Sequence, residues 1–72
     1  MISYEEAKER ALAVKPTANV VTECKDAWIF AEEFSLISPA VVLKDSGEVI
    51  NFLWFTDEMH GDTTPLSETH KI

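Results

Sequence analysis

A chain of 72 residues with a net charge of −7 and a pI near 4.5 has room for one small domain and not for two. Thirteen acidic against six basic side chains argue against direct binding to DNA or RNA, which needs a basic surface, and disfavour anionic membranes for the same reason. A single cysteine excludes an internal disulfide framework, and no apolar run approaches the roughly 20 residues of a membrane-spanning helix.

The first predicted element is a helix over residues 4–15. Ser3 stands at the N-cap position and Glu6 follows three residues later, the S-x-x-E pattern of a capping box. Glu5 and Glu6 suit the positive end of the helix dipole, and Arg10 and Lys15 the negative end. Tyr4, Ala7, Ala11 and Val14 recur at helical spacing with Leu12 beside them, so one stripe faces a core. Pro16 forces Lys15 out of helical geometry and stops the helix. Residues 1–6 lack the basic and apolar regions of a signal peptide, and the expected location is the cytoplasm.

The period then changes. Residues 19–25 alternate, with Val20, Thr22 and Cys24 on one side and Val21, Glu23 and Lys25 on the other. Asp26 marks a turn, and residues 27–31 resume as an aromatic, β-branched strand in a tight hairpin with the first. Residues 32–39, with an acidic pair, Phe34, two serines and a proline, read as a loop or irregular edge. Val41, Val42 and Leu43 form a short strand, residues 44–47 a turn in which Gly47 supplies a positive φ, and residues 48–55 a second strand. In that strand Val49, Asn51, Leu53 and Phe55 share one face, and Ile50, Phe52 and Trp54 the other. Both faces are largely apolar, yet one helix covers one face of a sheet, so the second face must meet the tail, another chain or a partner. Residues 56–64 read as a surface loop and Thr64-Pro65 as the start of one helical turn, with the last residues frayed.

Signatures of catalytic chemistry are sparse in the chain. Cys24 sits at an alternating strand position, where a free cysteine acts as a small buried hydrophobe. With two glycines, Gly47 and Gly61, a phosphate cradle is hard to build, and no nucleophile elbow or nucleotide fingerprint is present. Asp57, Glu58, His60 and Asp62 offer metal-type donors, but their spacing matches no calcium loop or zinc pattern, and they read as a solvated acidic loop. Glu32 and Glu33 read as solvated likewise, since acid–base work needs a cleft.

The aromatic residues carry more. Trp28, Phe30, Phe52, Trp54 and Phe55 fall on predicted strands, with Phe34 in a loop, and one short helix cannot cover them all. Rings left at a surface ringed by acids have the composition of an interaction site. The charge is also uneven: residues 1–15 are neutral, so the whole −7 lies in the sheet and tail, where it would steer a basic protein.

The order of elements resembles a known family. Tyr4-Glu5-Glu6-Ala7 on a leading helix, the strand Trp28-Ile29-Phe30 and the strand–turn–strand from Val41 to Val49 look like the YrhB-type domain, over about residues 3 to 52. The chain departs from that family at Ala27, where a glycine is usual, and in its short polar tail. The resemblance implies a small α+β fold and an immunity protein of a bacterial toxin system, and it transfers no functional residue.

The expected fold is therefore α+β, a single domain over residues 1–72 with one N-terminal helix packed on a four-stranded antiparallel sheet, and residues 56–72 as a polar tail. The expected function is a non-catalytic acidic protein-binding module, an immunity-type or inhibitor protein of a bacterial or phage conflict system. Its partner would be another protein with a basic surface, contacted by Trp54, Phe52, Glu48, Asp57 and Glu58, without cofactor or metal. The alternative is a small structural or accessory protein that forms a homo-oligomer, such as a homodimer, through the second sheet face.

Overall fold

The computed structural model describes residues 1–35 and 37–72, so of the predicted loop 32–39 only Leu36 lies outside the described residues. Helix α1 (Tyr4–Val14) is followed by strands β1 (Val20–Glu23), β2 (Ala27–Ala31), β3 (Ala40–Leu43) and β4 (Val49–Asn51), a π-helix (Trp54–Glu58) and strand β5 (His70–Lys71). All neighbouring strands are antiparallel, in the order β4-β3-β2-β1-β5.

Helix α1 starts as its residues dictate: Glu6 N–H donates to Ser3 Oγ at 3.2 Å. The reciprocal half of the capping box is not made. Glu6 instead pairs with Arg10 one turn on, at 2.9 Å, and Arg10 also donates to the Gly47 carbonyl at 3.0 Å. Ala7 and Ala11 are fully buried, and their small side chains let α1 lie close against Trp28, Phe30 and Val42. Val14, expected on the buried stripe, is exposed at the helix end.

Four expectations are corrected. The sheet has five strands rather than four, because residues 70–71 pair with Val20 and Val21. The tail does not fray. Leu66 N–H donates to Glu23 C=O at 2.9 Å and Ile72 N–H to Asn19 C=O at 3.0 Å, so the tail covers the open edge of β1. Thr64 and Pro65 adopt no helical turn. Finally, the strand expected over residues 48–55 stops at Asn51, and the chain turns helical from Phe52 through Glu58, taking the first part of the expected loop 56–64.

The cause of that last change is local. The Asn51 side-chain oxygen accepts the Trp54 N–H at 2.7 Å, as a helix cap does. Helical spacing then puts Phe52 and Phe55 on one side and returns them over the second sheet face. There Ala27, Val41 and Phe55 form a second buried cluster, with Ile29, Leu43, Ile50 and Phe52 packed on it. The apolar face that the sequence leaves without a cover is thus covered by residues of the same chain.

Candidate functional site

Several exposed apolar side chains lie at one end of the sheet, where α1 finishes, β3 begins and β4 stops. Val14, Ile37, Leu53 and Trp54 are all exposed there. Phe34 projects from the neighbouring turn at residues 33–34, 98% exposed and at a φ of 64°, in the left-handed region that a bulky residue seldom takes. That turn is tied down by Glu33 N–H donating to Asn19 Oδ1 at 2.7 Å and by Lys15 pairing with Glu32 at 3.4 Å.

Two hollows meet at this end. One, of about 280 Å³, lies between the end of α1 and the sheet and is lined by Val14, Lys15, Pro39, Val49 and Ile50. The other, of about 510 Å³, is lined by Leu53, Trp54, Asp57 and Glu58. They share Ser38 and Asn51 as lining, and the second of them is the Trp54 trough. Trp54 is 53% exposed, and its indole lines the trough with two carboxylates close by.

Of the five residues expected to contact a partner, three are thus brought together: Trp54, Asp57 and Glu58. Phe52 is instead half-buried, packed on the second sheet face. Glu48 is exposed but stands at the opposite end of β4, where its carbonyl accepts from Leu43 N–H at 3.0 Å. Sequence reasoning missed Val14, Ile37 and Leu53; the exposure of Val14 and Leu53 depends on where α1 and β4 stop. Asn51 carried a readable signal, since an Asn three residues before the Trp54 amide suits a helix cap.

The acidic loop is divided. Asp57 and Glu58 face the trough, while His60 and Asp62 line a separate hollow with Lys25, Asp26 and Asp45. Among the described residues no three His, Cys, Asp or Glu side chains converge as a metal site would require. Asp62 is fully exposed, and hydrogen bonds from the Thr64 backbone and side chain hold its carboxyl below the usual range. Cys24 is buried, and burial pushes its thiol up, with the Asp62 and Glu23 carboxylates adding to the effect and Lys44 opposing it. A thiol so placed is a poor nucleophile.

On the helix side of the sheet, Lys44 is buried, pairs with Glu23 at 2.7 Å and holds its ammonium 5.1 Å from the centre of the Trp28 ring. Tyr4 meets Trp28 edge-on at 6.0 Å and stacks on Phe30 at 6.2 Å. These contacts account for Trp28 and Phe30 as core residues and leave Trp54 and Phe34 as the rings available to a partner.

No helix among the described residues is long and apolar enough to cross a membrane. Comparison with family models, with curated proteins and with solved structures returns no match.

Proposed function

We propose that this chain is a non-catalytic, acidic protein-binding module that uses the Trp54 trough to hold a protein with a basic surface. The observation that carries the reading is a half-exposed indole lining the same hollow as Asp57 and Glu58. Aromatic anchors beside a charged rim are the usual composition of binding hot spots. The excess of acids gives long-range attraction, and Trp54 with Leu53 gives the contact that excludes water.

Within that class the reading is an immunity-type or inhibitor protein of a bacterial or phage conflict system, acting in the cytoplasm. The YrhB-like order of elements over residues 3 to 52 supports it, as do the small size and strong negative charge. Homo-oligomerisation through the second sheet face has less support, since Phe52 and Phe55 already occupy that face and two copies would both carry −7.

The test is affinity for a partner captured by the tagged chain. Trp54→Ala is expected to weaken it by about 2 kcal/mol or more, near thirtyfold in Kd. Asp57→Asn with Glu58→Gln is expected to slow association and flatten its salt dependence. Lys8→Ala, on α1, serves as control. Affinity unchanged in Trp54→Ala would refute the surface, and a partner that still poisons cells when co-expressed with this chain would refute the inhibitor assignment.

A further inference from the structure

The two edges of the sheet are treated differently. The β1 edge is covered by the tail from Asn19 to Glu23, whereas β4 ends the sheet and pairs with no further strand among the described residues. The open edge has a definite set of free groups. Leu43 N–H donates to Glu48 C=O at 3.0 Å, and Val41 stands opposite Ile50. In an antiparallel pair, residues that exchange bonds alternate with residues whose N–H and C=O turn away. Glu48 and Ile50 therefore face β3, while the N–H and C=O of Val49 and the N–H of Asn51 face outward.

We infer that the β4 edge takes up an extended, basic segment of another protein as an added strand, with an apolar side chain of that segment seated in the Trp54 trough. This rests on the binding surface proposed above and specifies how the partner is held. The edge runs from Glu48 at one end to Asp57 and Glu58 at the other, so carboxylates flank both ends of an incoming strand. The nearby cations are already engaged: Arg10 with Glu6 and the Gly47 carbonyl, Lys15 with Glu32. Asn51 lines the Trp54 trough and Val49 the neighbouring hollow, so a segment bonded to their backbone passes beside both.

A second copy of this chain fits the same edge badly. Antiparallel β4–β4 pairing would set Glu48 of each copy toward Asp57 and Glu58 of the other, and like charges across a pairing are unfavourable. The strand carries no lysine, proline or bulge to guard it, and its protection from self-pairing is its short length and those acids. A basic strand converts the same acids into attraction, with main-chain hydrogen bonds for affinity and the trough for specificity.

The test uses the full chain, labelled with nitrogen-15, and a short acetylated peptide alternating lysine with valine; its glutamate counterpart is the comparison. The lysine peptide is expected to shift the amide signals of Val49 and Asn51 and the indole of Trp54, and the glutamate peptide to leave them in place. A synthetic chain N-methylated at Val49 keeps its side chain and its ladder to β3 but loses the outward donor. Its affinity is expected to fall about tenfold, the size of one hydrogen bond with the steric block added. Binding that survives N-methylation overturns strand addition, as does the absence of shifts at Val49 and Asn51 at millimolar peptide. Sedimentation showing a dimer that N-methylation dissolves overturns the basic occupant in favour of a second copy. Should Trp54→Ala leave peptide affinity intact while N-methylation abolishes it, strand addition stands and the Trp54 anchor falls.

Discussion

The ring of Phe55 lies directly against the backbone of Gly61, whose N–H donates to the Phe55 carbonyl at 2.8 Å. A Cβ at position 61 would overlap that ring. Phe55 in turn fills the second buried cluster and anchors the helix that carries Trp54 and Asp57. Gly61→Ala is expected to lower stability by about 1–3 kcal/mol through overpacking. Phe55→Ala is expected to lose about 3–5 kcal/mol. Thermal melts followed by circular dichroism measure both, and an unaltered Tm in Gly61→Ala would contradict the contact.

Gly47 does two things at once. Its φ of 74° belongs to glycine, and its carbonyl receives the Arg10 guanidinium. A Cβ there would overlap that guanidinium and come within 3.0 Å of Ile2 Cγ2. Gly47→Ala is expected to destabilise by about 1–2 kcal/mol from the backbone alone, and by more with Arg10 in place. In an Arg10→Ala background the extra loss should vanish, leaving the backbone part. A double-mutant cycle with no coupling energy would argue that the two residues do not share this site.

These contacts show where the sequence was readable. Helix α1 has a cap at Ser3 and a stop at Pro16, both local signals, and its bounds came within one residue of expectation. The tight hairpin of β1 and β2 and the positive φ at Gly47 were also legible, because each depends on neighbours in the chain. Residues 52–55 were not. Phe52-Leu53-Trp54-Phe55 is apolar throughout, so neither a period of two nor one of 3.6 stands out, and the Asn51 cap with the seat at Gly61 decides for helix. The tail failed for another reason: a two-residue strand such as His70-Lys71 has no pattern of its own and forms because the β1 edge lies open. At the candidate site Trp54, Asp57 and Glu58 share one hollow, and the burial of Phe52 follows from the helix that replaces the expected strand, whereas Glu48 stands at the far end of β4 in either case.

Lys44 and Glu23 form an ion pair with unequal burial, the two side chains being 11% and 43% exposed. Removing the carboxylate leaves a buried ammonium with only the Trp28 ring as partner, whereas removing the ammonium leaves a carboxylate that water reaches. Glu23→Gln is therefore expected to destabilise by about 1–3 kcal/mol, and Lys44→Met by less, since methionine fills the same volume. Urea denaturation ranks the two variants; the reverse order would mean that the ammonium is hydrated rather than held over Trp28.

Burial raises the proton affinity of both the Cys24 thiol and the Tyr4 phenol, and Glu5 adds to the effect on Tyr4. A group whose pKa rises on folding contributes stability that is complete below its unfolded pKa and is lost as pH climbs through its folded one. Stability should thus hold to about pH 8.5 and then decline, first with Cys24 and from about pH 10 with Tyr4. Cys24→Ala is expected to remove the first part of that decline and Tyr4→Phe the second. Denaturant midpoints measured from pH 7 to 11 check it; a flat profile in the parent chain would exclude both contributions.

The tail offers a test of pairing parity. Ile72 N–H donates to Asn19 C=O, and His70 stands opposite Val21, so alternation directs His70 N–H toward β1 and Lys71 N–H away from it. Thr69 Oγ1 lies 2.7 Å from Thr22 Oγ1 and fixes the same register. His70→Pro removes a ladder bond and is expected to release the tail, with stability falling by about 1 kcal/mol or more. Lys71→Pro removes an N–H that faces solvent and is expected to stay within about 0.5 kcal/mol of the parent. Hydrogen exchange at Val21, whose N–H faces the tail, should accelerate in the first variant alone. Once released, the apolar β1 edge becomes available to other chains, so His70→Pro should also be the variant that self-associates on concentration. Equal effects of the two prolines would mean that the tail is held by its side chains and not by a strand pairing.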